Sequence, residues 1–587
     1  MKLKRILAMF CIATLLLSGC ATASSSKTDA EPIARTPAAK EAPQNIHQLA
    51  LQDKPLLYAN KDPLSVKTLY LTVRKGNEGE NTAHTWQEIN TYSVYDYDKM
   101  KTDRYKVEAI LQEGDETGPV PGALGYGLTT PNATVQVRGQ TSSEYPQKNY
   151  KIRLKKDTEL LDGQRTIALN KHMGDSLRIR NKMMFDLMTE IPAMMSLRTQ
   201  FVHLYVKDET AGGTAAFADY GLYTQVEQLN TTALMAHGCD RNGQLYKINS
   251  CEFYPYEEDI KLKTDPTYNL KAFEKRLEVK GNDDHTKLIA MLHDVNDYSK
   301  PIAEIVDTYF DIDNLLTWMA FHILTGNEDT QNRNMYIYSP LNSEKWYVWS
   351  WDNDGALNQK TRELQGKTPD RGWECGISNY WGNILFRRVL KSADYRAMLD
   401  ERIETLYHGV LAPAKVQALA ERYATVTTPY LYAMPDIQHA PVTQAEHDIV
   451  LANVKTEIEN NYKDYQESLT RPMPFYIDVP RQTETGYACD WDASFDLNSS
   501  DITYTAEISN SIDFTNPIVE YTGELPEITM PKLESGQYFI HVAAKNAEGK
   551  QQDAFDYYVT EDNNKIFGVR CFYVLEDGTV EMSTYEE

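Results

Sequence analysis

The sequence predicts an α+β chain with a strand-rich start, a helix-rich middle and an all-β end. Three observations carry that expectation. Residues 64–160 alternate apolar and polar side chains in "SVKTLYLTV", "YKVEAIL", "ATVQVRG" and "NYKIRLK", with Gly, Pro and Asn turns between them. Residues 174–470 contain helical spacing, as in "RIRNKMMFDLMTEI" and "IDNLLTWMAFHILTG", the second stopped by Gly326. From about Tyr487, short strands recur at regular intervals, as in "DITYTAEIS" and "GQYFIHVAAKNAEGKQQDAFDYYV".

A chain of 587 residues exceeds one ordinary core, so two or three domains are expected. The folded part divides into a large domain at 61–473, with a β-rich part at 61–160 and an α-rich part at 174–470, and a β-sandwich at 487–587. "FRRVLKSADYRAMLDERIETLYHGVL" and "AEHDIVLANVKTEIENNYKDYQESL" read as amphipathic helices closing the large domain, and "RPMPFYIDVP" as a linker. The sandwich resembles a fibronectin-type-III module.

"MKLKRILAMFCIATLLLSGC" has a basic start and an apolar run too short to span a bilayer. Leu17-Ser18-Gly19-Cys20 resembles a bacterial lipobox, which implies a signal peptide at 1–19, lipidation at Cys20 and a protein anchored outside the cytoplasm. An ordinary secretory signal with a chance cysteine is the plainer alternative. Residues 20–60, rich in Ala, Ser, Thr and Pro, read as a disordered tether. The net charge of −24, with no basic stripe, argues against a nucleic-acid partner. A monomer is expected. Cys239, Cys251, Cys375, Cys489 and Cys571 show no zinc spacing; at most Cys239 and Cys251 pair across a short loop.

Chemistry concentrates in "TGNEDTQNRNMYIYSPLNSEKWYVWSWDNDG". Met335–Ser339 and Lys345–Trp351 alternate as strands around a turn near Leu341-Asn342, which predicts a β-hairpin. Folding about that tip returns Asp352 and Asp354 to Asn334, with Asp329 one loop upstream. Such oxygen ligands suit Mg²⁺ or Mn²⁺ rather than zinc. Asp329-x-x-x-x-Asn334 repeats the Asp-to-Asn interval of the protein-kinase catalytic loop, where the Asp takes the acceptor proton and the Asn holds metal. Asp352 stands where a kinase keeps its main metal ligand. The flanking His-Arg and Asp-Phe-Gly are missing, and so is the terminal Glu of a calcium loop.

"TVQVRGQTSSEYPQKNYKIRL" offers the cationic side. Arg138-Gly139 ends a strand, Gln140–Ser143 is a polar loop whose N–H groups could cradle phosphate, and Lys148 opens the next strand. There is no GxGxxG and no GxxxxGK[ST]. Lys148 alone is more often a solvated edge-strand lysine. Glu227, in "YGLYTQVEQL", stands where it could face Lys148, or is an ordinary surface acid.

Arg-Gly-x-Thr-Ser followed by "PQKNYKI", then "RIRNKMMFDLM", "YGLYTQVEQ", "GQLYK", "GNEDTQNRNMYIY" and "WYVWSWDNDGAL", resembles the spore-coat-protein-H (CotH) family of atypical kinases across residues 64–400. The resemblance implies a reduced, protein-kinase-like fold that binds ATP with divalent metal and phosphorylates Ser/Thr of exported or surface proteins. It assigns Asp329 as the catalytic acid residue and Asn334 and Asp352 as metal ligands, with Asp354 beside them. It assigns Lys148 to the phosphates with Glu227 as its partner, and Arg138, Ser142 and Ser143 to the nucleotide. Asn181 belongs to the shared pattern without an assigned role. Ser350 replaces the usual Pro before Trp351-Asp352.

Two other functions fit less of the chain. A catalytically silent surface scaffold that binds protein or glycan suits a lipoprotein with a β-sandwich, but has no use for Asp329, Asn334, Asp352 and Lys148 together. A metal phosphohydrolase would want a paired His/Asp cluster, and the 12 histidines are dispersed.

Overall fold

The computed structural model describes residues 51–59, 62–212, 215–367 and 370–583. The expected signal peptide and Cys20 lie outside them. Part of the expected tether does not. Pro55–Leu57 forms a 3₁₀ turn, Asp53 accepts from Ser196 N–H at 3.1 Å, and Tyr58 Oη donates to Asp53 at 2.6 Å. The packed chain therefore begins before residue 60.

Strands β1 (Val66–Arg74), β2 (Val107–Asp115), β3 (Gly118–Pro119), β4 (Ala133–Arg138), β5 (Asn149–Leu154), β6 (Thr166–Asn170), β7 (Thr199–Asp208) and β8 (Ala218–Glu227) form one sheet. Its order is β1-β7-β8-β6-β5-β4-β2-β3, and an added β1–β2 ladder closes seven of the strands into a ring. β1 and β7 run parallel, whereas the other ladders are antiparallel. Alternation decides the two faces. Val135, Val137, Tyr150 and Ile152 point into a core shared with Leu69, Leu71, Val202 and Leu204, while Trp86 and Ile89 pack into the same core. Gln136, Arg138, Asn149 and Lys151 point outward.

The strand-rich part thus runs to Glu227, past the expected end at 160, because "FVHLYV" and "YGLYTQVE" close the ring. The helix Arg180–Met188 lies between β6 and β7 and packs on the ring's outer face with Phe201 and Val226.

A second sheet has the order β10-β9-β11-β12, from β9 (Gln244–Ile248), β10 (Leu277–Val279), β11 (Met335–Ser339) and β12 (Tyr347–Ser350). The expected hairpin is β11–β12, antiparallel with Met335 opposite Ser350. The helix Ile312–Thr325 packs beneath it and ends at Gly326, φ 60°, as its sequence requires. Each of the two long helical readings splits: Ile384–Lys391 from Ala393–His408 at Ser392, and Gln444–Ala452 from Val454–Ser468 at Asn453. The helix Pro413–Leu431 joins them.

The C-terminal unit holds β13 (Arg481–Gln482), β14 (Gly486–Asp490), β15 (Ile502–Ser509), β16 (Val519–Gly523), β17 (Glu527–Pro531), β18 (Gly536–Asn546), β19 (Gln551–Asp553), β20 (Tyr557–Val559), β21 (Lys565–Phe567), β22 (Val569–Val574) and β23 (Val580–Met582). A β13-β14-β17 sheet and a β16-β15-β18-β22-β23 sheet share one core. The "RPMPFYIDVP" stretch is not a free linker. Its Phe475 and Ile477 are buried in that core, and Phe475 O accepts from Phe555 N–H at 2.7 Å. The five described cysteines are buried and unbonded, so Cys239 and Cys251 do not pair. Among the described residues no helix is long and apolar enough to cross a membrane.

Candidate active site

After Gly326 the chain makes one 3₁₀ turn, Glu328–Thr330, and enters β11. Asn334 and Asp352 flank the open end of the hairpin, and Trp351 N–H donates to Asn334 O at 3.0 Å. Both adopt left-handed backbone, φ 54° and 51°. Such strain in non-glycine residues persists only where surrounding structure imposes it, and it concentrates at functional sites. Asn334 Nδ2 donates to Asp329 Oδ2 at 2.9 Å, and among the described residues nothing donates to its amide oxygen. Arg333 Nε lies 3.4 Å from Asp329 Oδ1, and the Asp329 side chain keeps 55% exposure, so an acceptor group can reach it. Desolvation raises the Asp329 carboxyl above its ordinary range, with Asp354 and Glu328 adding to it and Arg333 and Asn334 opposing.

Asp352 is different. Burial first, then the neighbouring Asp354, push its carboxyl up to about 6, and Arg138, Lys247 and His172 only partly compensate. Among the described residues no donor hydrogen-bonds to it. Asp354 Oδ2 instead has His172 Nδ1 at 3.2 Å, and this contact holds its carboxyl low against the effect of burial. Asn181 fixes both neighbours: its Oδ1 accepts from Asn353 N–H at 3.0 Å, and its Nδ2 lies 3.3 Å from His172 Nε2. That amide donor assigns the His172 proton to Nδ1, facing Asp354. The role missing for Asn181 is therefore to set the Asp352–Asp354 loop.

Cations face these acids from the ring and from β9 of the hairpin's own sheet. Arg138, on the outer face of β4, packs over the Trp351 ring at 5.5 Å and donates to Asn170. Burial lowers its pKa, and Asp352 is the strongest opposing charge. Lys247 of β9 couples to Glu278 and Asp352. Lys151 of β5 couples to Lys280, Arg138 and Glu278. Burial depresses both lysines, and Glu278 opposes the shift in each.

Three expectations are corrected. Lys148 shares the inward parity of Tyr150 and Ile152; it is buried under the 3₁₀ turn Thr141–Ser143, donating to Ser143 O at 2.7 Å, with Asp96 and Glu144 as its charge partners. Lys151, three residues on, has the outward parity and takes the cleft position. The Gln140–Ser143 loop is closed on itself: Ser143 N–H donates to Gln140 O at 3.0 Å, and Ser143 Oγ accepts from Val94 N–H at 3.0 Å. Ser142 Oγ accepts from Asn149 at 3.0 Å and sits so near Gly139, φ 101°, that a Cβ there would lie 1.9 Å away. Both serine hydroxyls are thus engaged by the fold.

Glu227 does not meet Lys148. It is 1% exposed, bonded to Arg198 at 2.5 Å and to His237 Nε2 at 2.9 Å, and His237 Nδ1 reaches Asp53 at 2.6 Å. That network pins the N-terminal segment to the fold.

Lys247 stands in the quoted "GQLYK" block, so a signal for it existed. His172 had none, because it is a lone histidine distant in sequence from Asp354. Among the described residues no three His, Cys, Asp or Glu side chains cluster tightly enough to hold a metal by themselves.

Among curated proteins none matches this chain. Among solved structures the chain is similar to the HipA–HipB–operator DNA complex of Shewanella oneidensis MR-1, at 10% identity, 54% of this chain, 58% of that chain and TM-score 0.20. It is also similar to the twitchin kinase region of C. elegans, at 13% identity, 69% of this chain, 71% of that chain and TM-score 0.15. The chain thus spans little more than half of the first, and likenesses this slight carry no statement about fold. The family described as CotH kinase protein matches residues 135–467, more than half of the chain and all of the ring–hairpin cleft, and the chain belongs to that family.

Proposed function

We propose that the protein is an ATP-dependent Ser/Thr protein kinase with a reduced kinase-like fold, exported and held at the membrane through Cys20. The observation that carries the reading is the donorless Asp352 carboxylate opposite Arg138 and Lys247, with Asp329 reachable at the rim. Arg138, Lys151 and Lys247 would bind the triphosphate. Asp352, Asp354 and the amide oxygen of Asn334 fit a hard cation, Mg²⁺ or Mn²⁺. Such ions take one or two carboxylates and leave other positions to phosphate and water, which agrees with the lack of an all-protein cluster. When bound, the cation neutralises charge on the phosphates.

Asp329 accepts the proton of the acceptor hydroxyl. The hydroxyl oxygen forms its bond to the γ-phosphorus as the bond to the β,γ-bridging oxygen breaks, and ADP leaves with that electron pair. The β16-β15-β18-β22 order opposite β14-β17 supports a fibronectin-type-III-like module. The basic start and Leu-Ser-Gly-Cys support the lipid anchor.

The test is labelled ATP with Mg²⁺ or Mn²⁺, read as autophosphorylation or transfer to an exported protein. Asp329→Ala should bind ATP like the parent yet lose transfer by about 10²–10⁴-fold, the range for losing a general base. Parental transfer in that variant would sink the assignment.

A further inference from the structure

The turn that carries Asp329 is gripped by the chain that follows β12. Asn379 Nδ2 donates to Glu328 O at 3.0 Å, Tyr380 Oη meets Thr330 Oγ1 at 3.0 Å, and Asn383 Nδ2 donates to Gln331 O at 2.8 Å. The Glu328 carboxylate is held by Arg362 at 2.6 Å and Arg371 at 3.3 Å. Arg371 Nη2 also donates to Glu374 O at 3.3 Å. So residues 371–383, together with Gln359 and Arg362 of the helix Gln359–Leu364, hold the backbone and side chains on both sides of Asp329.

That stretch is in turn held by the C-terminal unit. Trp373 Nε1 donates to Phe555 O at 3.0 Å, Glu374 pairs with Lys565, and Ser378 Oγ meets Gln552 at 3.4 Å. Trp381 stacks on Phe495 at 5.5 Å. Gly372, φ 50°, lies so close to Phe567 that a Cβ would stand 2.3 Å from the ring. Phe555 and Phe567 belong to the main core rather than to the module's own.

We propose that the C-terminal β module is a positioning element of the active site, acting through residues 371–383 on the Asp329 turn. Lys565 and Trp373 are the positioning residues, and neither touches the reacting atoms. The inference rests on Asp329 being the catalytic base. A base displaced by about 1 Å can lose 10²-fold in rate while nucleotide binding persists. The module is then not a passenger adhesin, and whatever loosens its seat also loosens the base.

Removing the module would expose Phe555- and Phe567-facing core, so point variants of the full chain are the better probe. Trp373→Phe keeps the ring and drops the N–H donor. Lys565→Met drops the cation, and Lys565→Arg restores it. Hydrogen exchange across 326–334 and steady-state transfer are read together. The double variant should exchange about 10-fold faster at 326–334, with the β4–β5 peptides unchanged, as local rather than global opening predicts. Transfer should fall about 5–50-fold in kcat with the KM for ATP held within about two-fold, and Lys565→Arg should recover it. Faster exchange confined to 551–567, or an unchanged kcat despite loosening at 326–334, overturns the proposal. A parent chain with no transfer at all would instead defeat the kinase reading, and the exchange data would then decide the mechanical link alone.

Discussion

Glu227 and Asp352 are both carboxylates drawn out of water at the end of a β-strand, and the fold treats them in opposite ways. Glu227 receives Arg198 and His237, and these partners hold it down to about 2 despite burial. Asp352 receives no donor among the described residues, has a second carboxylate beside it, and is pushed up to about 6. A buried charge with all its partners supplied belongs to the scaffold. One left without them waits for a partner from outside. Strand position alone makes the two equivalent; the difference lies in what the rest of the chain brings to each.

That contrast can be broken most directly at Asp352. Asp352→Ala should remove metal-nucleotide binding and lower transfer by about 10³-fold or more, several kcal/mol of charge stabilisation. Asp352→Asn should nevertheless melt higher than the parent at pH 7. A carboxyl raised above its unfolded value costs stability once it ionises, so the gain should vanish well below pH 4. A lower melting point at pH 7 would mean that Asp352 is held by the fold after all.

Glu227→Ala is expected to do the reverse. Stripping one partner from a buried ion network costs about 3–5 kcal/mol, measured by denaturant titration. Nucleotide affinity of the folded fraction should stay parental. A selective loss of affinity would return Glu227 to the site.

His237 gives the same network a pH signature. Its two carboxylates outweigh burial and raise it to about 9. The stability it contributes is complete below its unfolded value near 6.5 and is lost as pH climbs toward 9, about 3 kcal/mol in all. Melting followed across that window should show the decline in the parent and a flatter profile in His237→Gln.

The smallest effect separates two lysines of one strand. Lys151→Met should weaken ATP binding about 10-fold, one lost charge contact to phosphate. Lys148→Met should leave affinity within about two-fold while costing about 1 kcal/mol of stability for the orphaned Ser143 carbonyl. Calorimetric titration of both variants decides which parity faces the nucleotide.

Local pattern carried a good part of this fold. The β11–β12 hairpin and the Gly326 stop follow from alternation, turn residues and helix capping, and with them the convergence of Asp329, Asn334 and Asp352. Partners were harder. Lys148 and Lys151 differ only in which way a period-two strand begins, and one residue of register exchanges the inner face for the outer. Glu227 finds Asp53 and His237 through the tertiary fold, and no spacing encodes that meeting. "RPMPFYIDVP" has the composition of a linker, yet its apolar residues are claimed by a neighbouring core.

The closed ring has a consequence for how the chain reaches its native state. β1 is paired on both sides, and one of those sides is β7, whose residues follow only after β2 to β6 and the helix Arg180–Met188. Until Thr199–Glu227 is available, the ring has an open seam with unpaired backbone on β1. Folding must therefore wait for a long-range event rather than proceed strand by strand. Once the seam shuts, the ring itself presents no free edge for another chain to extend.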